Sequence, residues 1–398
     1  MTTIPTSDLE TFKNQIKNPN KEFDNIFQKK EQKLQEIKKD IVLSFPSDHS
    51  GCGHIRNIFP FSYMNSLFAR RKIFNAIISN QMIFQEDILR KSRSLFFQRT
   101  MSPGSVEAVN RYKTLQNKFQ YKMVYDIDDF VWVDDKGCHG VPEYNFGGKS
   151  ISKEIQDVSF ENMKKMDTIC VTSQFLKDYI SKNGIDENKI KILHNSIPQF
   201  FWGNNKKTEI KEKIKKPRIM WSASPSHWCN KNKLYGDMDN AWREWIIKSV
   251  KEDKIEYVQM GGLPWFFEEI KDKIKVVNWI PSFHYHLAFK DINADIGISP
   301  LVPNYFNYSK SPIKYQEYCV SGTLGIGTVF SNGKPSPYDI SLTTAPDTIS
   351  VEEIDALIDR VTEPEVYNDI LNKQYQQVID NSWITESKGY IDLLFSIF

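Results

Sequence analysis

Apolar residues in this chain gather in short runs, and between the runs they thin out to helical spacing. The first clear run, Ile41-Val42-Leu43-Ser44-Phe45, predicts a strand. A polar, glycine-bearing loop follows over residues 46–56, and a helix is expected beyond Pro60. Four more runs, at residues 95–98, 122–127, 168–172 and 190–193, predict further strands, with charged periodic segments between most of them. Strands alternating with helices build a mostly parallel sheet. A strand, a glycine-bearing loop and a helix are the opening of a doubly wound α/β domain.

Residues 203–217 break the pattern. They are polar and nearly free of bulky apolar side chains, as a linker is. A second series follows, with strands expected at 218–222, 255–260, 274–277, 296–299 and 324–327. The expected division is a charged helical segment over 1–40, a Rossmann-like domain over 41–205, a second over 206–380, and a helix over 381–398 packing back on the first domain. Two such domains leave a cleft between the carboxyl ends of their strands, where open α/β sheets bind ligands.

Composition narrows the classes. The 398 residues are 40% hydrophobic and 13% aromatic, enough for two cores and unlike a disordered chain. A net charge of +2 gives no bulk preference for a polyanion, though a local basic face is compatible with that sum. Cys52, Cys138, Cys170, Cys229 and Cys319 are odd in number, widely spaced and without a CxxC pair. That argues against a disulfide framework or zinc knuckle and for a reducing compartment. No apolar run approaches the roughly 18 residues of a membrane span. A soluble, cytoplasmic protein is expected.

Five segments carry candidate chemistry. In Gly51-Cys52-Gly53-His54-Ile55-Arg56, glycines that let backbone approach a ligand precede a helix N-terminus that favours phosphate, and Arg56 offers an anion a charged fork. An ordinary turn is the plain alternative. In Tyr125-Asp126-Ile127-Asp128-Asp129-Phe130-Val131-Trp132, an apolar strand runs into three carboxylates, which repel one another unless water, a cation or a ligand intervenes; a helix cap or turn also favours Asp. Residues 166–173 and 192–198 close the first domain, with Asn195 just past a strand end. Residues 221–231 open the second with a small-residue turn containing Ser224, Ser226 and His227, and Lys231 and Lys233 lie downstream. In 311–322, Ser311 suits an N-cap, Pro312 the first helical position and Gly322 the residue after the helix. Free amides at the start of that helix make a seat for a diphosphate, and Lys314 and Glu317, three apart, lie on neighbouring parts of one face.

Taken in order, these segments resemble the GT-B glycosyltransferases, especially the retaining family-4-like group with members from phages and polysaccharide gene clusters. The resemblance covers about residues 41–330. Residues 125–132 look like the YDIDDxxW segment of such enzymes, and 311–322 are similar to the SPxKxxEYxxxG form of their donor-binding helix. The resemblance implies a nucleotide-sugar donor, UDP-linked, near Gly51, Gly53, Arg56, Ser224, His227, Lys231, Ser311, Lys314 and Glu317. Glu317 would hold the ribose hydroxyls and Lys314 would lie by the phosphates. Asp126, Asp128 and Asp129 become the catalytic carboxylates, touching the acceptor or acting as base if the reaction inverts. If it retains configuration, the leaving phosphate takes the acceptor proton, and no metal is obligatory. Two departures stand out. The family motif has two glutamates eight apart, and counting back from Glu317 gives Ser309; the Gly-Arg usual in the turn opening the second domain is also absent.

For the acceptor, the length and the phage-like motifs resemble the T-even phage enzymes that glycosylate hydroxymethylated cytosine. 5-Hydroxymethylcytosine in double-stranded DNA, within a host cytoplasm, is therefore the first expectation. Its phosphates would meet Arg70-Arg71-Lys72, Arg90-Lys91-Ser92-Arg93 or residues 206–216. A polysaccharide or lipid-linked glycan is the alternative acceptor. A catalytically degenerate nucleotide-binding module is the alternative from another class. A dinucleotide oxidoreductase fits poorly, because Gly51-Cys52-Gly53 lacks the third spaced glycine.

Overall fold

The computed structural model describes residues 39–49, 51–68, 75–134, 137–138, 153–203, 209–228, 236–380 and 396–397. In the first domain the order is β1 (Ile41–Phe45), α1 (residues 51–68), β2 (Asn75–Ile78), α2 (Glu86–Lys91), β3 (Ser92–Gln98), α3 (Ser105–Phe119) and β4 (Lys122–Ile127). A hairpin of β5 (Val133–Asp134) and β6 (Gly137–Cys138) follows, then α4 (Lys153–Lys164), β7 (Thr168–Val171), α5 (Gln174–Lys182), β8 (Ile190–Ile192) and α6 (Gln199–Trp202). The second domain runs β9 (Arg218–Ser222), α7 (Asn240–Lys251), β10 (Glu256–Met260), β11 (Lys275–Val277), α8 (Ser282–Ile292), β12 (Ile296–Ser299), α9 (Tyr305–Ser309) and α10 (Ile313–Val320). It ends with β13 (Leu324–Val329), β14 (Thr344–Pro346), α11 (Val351–Val361) and α12 (Pro364–Asp380).

Each domain carries a six-stranded sheet, with orders β2-β1-β3-β4-β7-β8 and β11-β10-β9-β12-β13-β14. Every pair within them is parallel. Strand order reverses between β1 and β3 in the first sheet and between β9 and β12 in the second. Loops leaving those strands in opposite directions open a crevice at each reversal, the place where such sheets take ligands.

The expected strands all form. Two edge strands have weak sequence signals: β2 is only partly buried, and β14 ends in a proline, tolerated because its outer edge needs no ladder partner. The loop after β1 is shorter than expected. Helix α1 already starts at Gly51, as Gly51–Gly53, a π-turn over His54–Ile58, then Phe59–Phe68. Pro60 has no N–H for a regular bond to residue 56 and its ring crowds that carbonyl, and the widened turn lies just before it. Gly53 is required by close approach: a Cβ there would collide with the Asp48 carbonyl, whose side chain accepts the Gly53 N–H at 3.1 Å.

Helix α10 sits unusually low on its sheet. A Cβ at Gly297 would enter the Tyr318 ring, and one at Gly325 would lie 2.7 Å from Tyr315. Both rings are fully buried, and the Tyr318 hydroxyl accepts from Ser222 N–H at 2.9 Å and donates to the Ile298 carbonyl at 3.0 Å. The helix ends as the sequence predicts. Gly322 has φ +80°, Thr323 N–H bonds the Tyr318 carbonyl at 3.0 Å, and Gly322 N–H bonds that of Cys319 at 3.2 Å. Its start differs. Pro312 is the capping residue with no side-chain bond, and Ser311 faces the other domain.

The domains share packing. Phe306 of α9 joins the first-domain core, and Ile197 and Trp202 join the second-domain cluster around Met220, Phe289 and Tyr318. Part of the expected linker is anchored: both backbone groups of Ile210 bond the Asn368 side chain, at 3.0 and 2.8 Å. Ile397 is buried with Val42, Phe61 and Phe96 of the first domain. The expected N-terminal helix and most of the C-terminal one lie outside the described residues. Among the described residues, no helix is long and apolar enough to cross a membrane.

Candidate functional site

At the second-domain crevice, the loop after β9 brings His227 against the first turn of α10. His227 Nδ1 bonds the Asp237 carboxylate, and its Nε2 lies 2.7 Å from Lys314 Nζ. Asp237 also accepts from Asn307 Nδ2 at 2.7 Å. Burial, followed by the Lys314 and Lys310 charges, pulls His227 down to about 3. The ring is therefore neutral, with its proton toward Asp237 and an Nε2 lone pair toward the lysine. Burial and the Lys310 charge bring Lys314 down to about 7. One turn along the helix, burial pushes Glu317 up to about 8 despite the opposing Lys314 charge and a hydrogen bond from Tyr285. That Tyr285 hydroxyl stands 3.4 Å from Glu317 Oε2 and also touches Ser222 Oγ. The result is a desolvated Lys–Glu pair, poised near neutrality and backed by a neutral histidine.

At the first-domain crevice, Arg99 follows β3 with φ +44°, a backbone position that L residues seldom adopt. That turn throws its guanidinium across to the loop after β4. Its Nε bonds Asp128 Oδ1 at 2.7 Å, its Nη2 meets Asp129 Oδ2, and Cys52 Sγ lies 3.4 Å from Nη2. Cys52, Asp128 and Asp129 would otherwise be close enough to share a cation, and the arginine already supplies the countercharge. Asp128 is buried and its carboxyl raised, chiefly by desolvation; Asp129 keeps 17% of its side chain exposed. Asp129 is also near enough to act on Lys314, so the two crevices face each other.

Three residues stitch the crevices together. Ser309, where the resembled motif has its first glutamate, is fully buried: its Oγ accepts from Phe130 N–H at 2.8 Å, and its carbonyl accepts from Ser173 Oγ at 3.1 Å. Thr172 Oγ1 reaches the Asp128 carbonyl at 2.8 Å and, across the seam, the Ser309 carbonyl at 3.5 Å. Asn195 bridges the domains, donating to Ser311 Oγ at 2.8 Å and accepting from Arg56 Nη1 at 3.1 Å.

The structure brings Ser224, His227, Ser311, Lys314 and Glu317 to one crevice and Asp128 and Asp129 to the other. Two expected roles change. Arg56 and Asp126 are both 0% exposed and paired with each other through Arg56 Nε and Nη2, with Nη1 holding the Leu193 carbonyl. Each has the other as its charge partner in place of the ligand expected for it. They form a strut beneath the site, since an ion pair this deep leaves no room for a ligand. Gly51 is exposed with nothing near a would-be Cβ. Lys231 lies outside the described residues. Sequence reasoning missed Arg99, Asp237 and Tyr285. Arg99 alone had a signal, as a charged residue at the carboxyl end of a central strand.

The sequence matches no protein-family model and no curated protein. Solved structures match the fold. The Anabaena protein HepE in complex with UDP and glucose superposes with TM-score 0.56 at 9% identity, covering 90% of this chain and all of that one. A glycosyltransferase from Rickettsia africae superposes with TM-score 0.57 at 13% identity, over 91% and 98% of the two chains. A putative UDP-N-acetylglucosamine 2-epimerase from Listeria monocytogenes matches at TM-score 0.50 and 10% identity, over 90% and 96%. The fold is GT-B. It houses more than one reaction on nucleotide-sugars, so the chemistry of this chain is argued from its site.

Proposed function

We propose that the protein is a glycosyltransferase that moves a sugar from a UDP-linked donor to an acceptor hydroxyl. The observation that carries the reading is the Lys314–Glu317 pair on the low-set helix at the second-domain crevice, backed by His227 and Asp237. A lysine held half-protonated near neutrality gains a full charge when a diphosphate arrives. That charge, with the free amides at the start of α10, would stabilise the leaving group as the glycosidic bond breaks. Glu317 would take the ribose hydroxyls. With Asp126 committed to Arg56, Asp129 is the carboxylate left to face an acceptor, and it would act as base if the reaction inverts.

A saccharide acceptor is favoured over DNA. Of the basic segments a duplex would need, Arg93 is buried, Lys213 is paired with Asp359 and Glu363, and Lys216 with Asp253. Arg70-Arg71-Lys72 lies outside the described residues. The test is UDP release from a panel of UDP-sugars, alone and with glycan or hydroxymethylcytosine-DNA acceptors. The Glu317→Ala variant should raise donor KM strongly. An unchanged donor KM, or an epimerised sugar in place of released UDP, would overturn the reading.

A further inference from the structure

The two domains also flank a half-open pocket of about 550 Å³ between α5 and the loops after β12 and β13. No residue expected at the donor lines it. Phe175 of α5 faces Tyr305 and Tyr308 of α9, with ring centroids 5.8 and 5.7 Å away. Tyr305 is 40% exposed, a large ring left bare at the wall of a cleft. Lys182, Lys310 and Lys334 complete the lining, and among the described residues none of them has a carboxylate partner. Asp178 is the one acid in the wall, and its Oδ1 already accepts from Gln174 Nε2 at 2.6 Å. Pro335 and Pro337 stiffen the far side, so that wall has little entropy to lose on binding.

Lys310 places this cavity with respect to the donor crevice. Its Nζ sits 4.1 Å over the Phe306 ring, and its charge lowers both His227 and Lys314. The cavity therefore opens beside the groups that would hold the leaving phosphate. We propose that it binds an acidic saccharide, with a sugar ring on the exposed face of Tyr305, which the buried Tyr308 and the half-buried Phe175 back, and a carboxylate or phosphate among the three lysines. The further step, that this saccharide is the acceptor, rests on the glycosyltransferase reading; the binding site does not. Aromatic faces with cations also suit single-stranded nucleic acid, but that ligand needs a groove following its backbone. The aromatic face and the cations here line one half-open pocket of small-ligand size.

Calorimetric titration of the full chain tests the site with three probes: a hyaluronan tetrasaccharide, neutral maltotetraose and hexathymidylate. The acidic saccharide should bind saturably and at least about tenfold more tightly than either other probe. Tyr305→Ala, and separately the Lys182→Ala/Lys334→Ala double variant, should each weaken it about tenfold or more while UDP binding stays at the wild-type value, and the lysine double variant should also keep the wild-type melting temperature. No binding of the acidic saccharide, binding indifferent to both variants, or preference for hexathymidylate would each overturn the proposal. A wild-type protein that binds the saccharide but not UDP would sink the donor reading and leave this site standing.

Discussion

Replacing Glu317 by Gln isolates one of the strongly shifted titrations in the second-domain crevice. The carboxyl is pushed up to about 8 from an ordinary 4.5, because burial disfavours its charged form. Between those values the folded protein holds a proton that the unfolded chain has released. Stability therefore falls as pH rises, by about 1.4 kcal/mol per unit, and the loss is complete above the folded value. Between about pH 5 and about pH 8 this amounts to roughly 4 kcal/mol, nearer 2 once the partial exposure of the side chain is allowed for. Lys314 acts in the opposite sense: above about 7 it has lost a proton that the unfolded chain keeps, so its share of stability recovers with pH. The wild type alone would show the two mixed. Their separation comes from the difference between wild type and Glu317→Gln, since Gln mimics the neutral acid and leaves Lys314 in the same field up to about pH 8. Melting curves should nearly coincide at about pH 5, and the variant should melt several degrees higher at about pH 8. Parallel pH profiles for the two proteins would refute the desolvation argument.

Other substitutions probe the remaining parts. Lys314→Met should weaken UDP binding about tenfold or more by calorimetry, with Lys314→Arg a poor replacement because the wider guanidinium does not fit against His227. Gly297→Ala should cost about 1–3 kcal/mol in denaturant unfolding, since the Tyr318 ring must move. Ser309→Glu should destabilise by about 3 kcal/mol or more and add no activity, because that position is a dry seam between domains. Asn195→Ala should cost about 0.5–1.5 kcal/mol, because Arg56 Nη1 keeps the Leu193 carbonyl and loses only its bond to Asn195, along with the Asn195–Ser311 bridge.

The sheets were legible because parallel strands buried on both faces read as runs of apolar and small residues without charges, as Ile41–Phe45 and Leu324–Val329 do. The ends of α10 were half legible. Gly322 announces a left-handed C-terminus, but Ser311 looks like a cap in sequence and is drawn away by Asn195, 116 positions earlier. The same limit governs the carboxylates. Asp126, Asp128 and Asp129 are indistinguishable as three acids in a row. Which becomes a strut and which keeps some exposure depends on Arg56 and Arg99, delivered from helix α1 and from the end of β3. Long-range partners of this kind have no local pattern, so the cluster was visible and its division of roles was not.

The two departures from the resembled motif have a common physical consequence. A glutamate at 309 would be buried against Phe130 and Ser173, so in this chain the position fastens α10 to the first domain. The turn opening the second domain carries His227 where an arginine would bring a permanent charge, and burial with the Lys314 and Lys310 charges keeps that histidine neutral against the pull of Asp237. With neither the glutamate nor the arginine present, Lys314 is the cation this helix offers, and its charge is conditional. It is half lost in the empty crevice and regained beside an anion. Diphosphate binding should then draw a proton to Lys314, a coupling that an arginine, charged at every accessible pH, does not have.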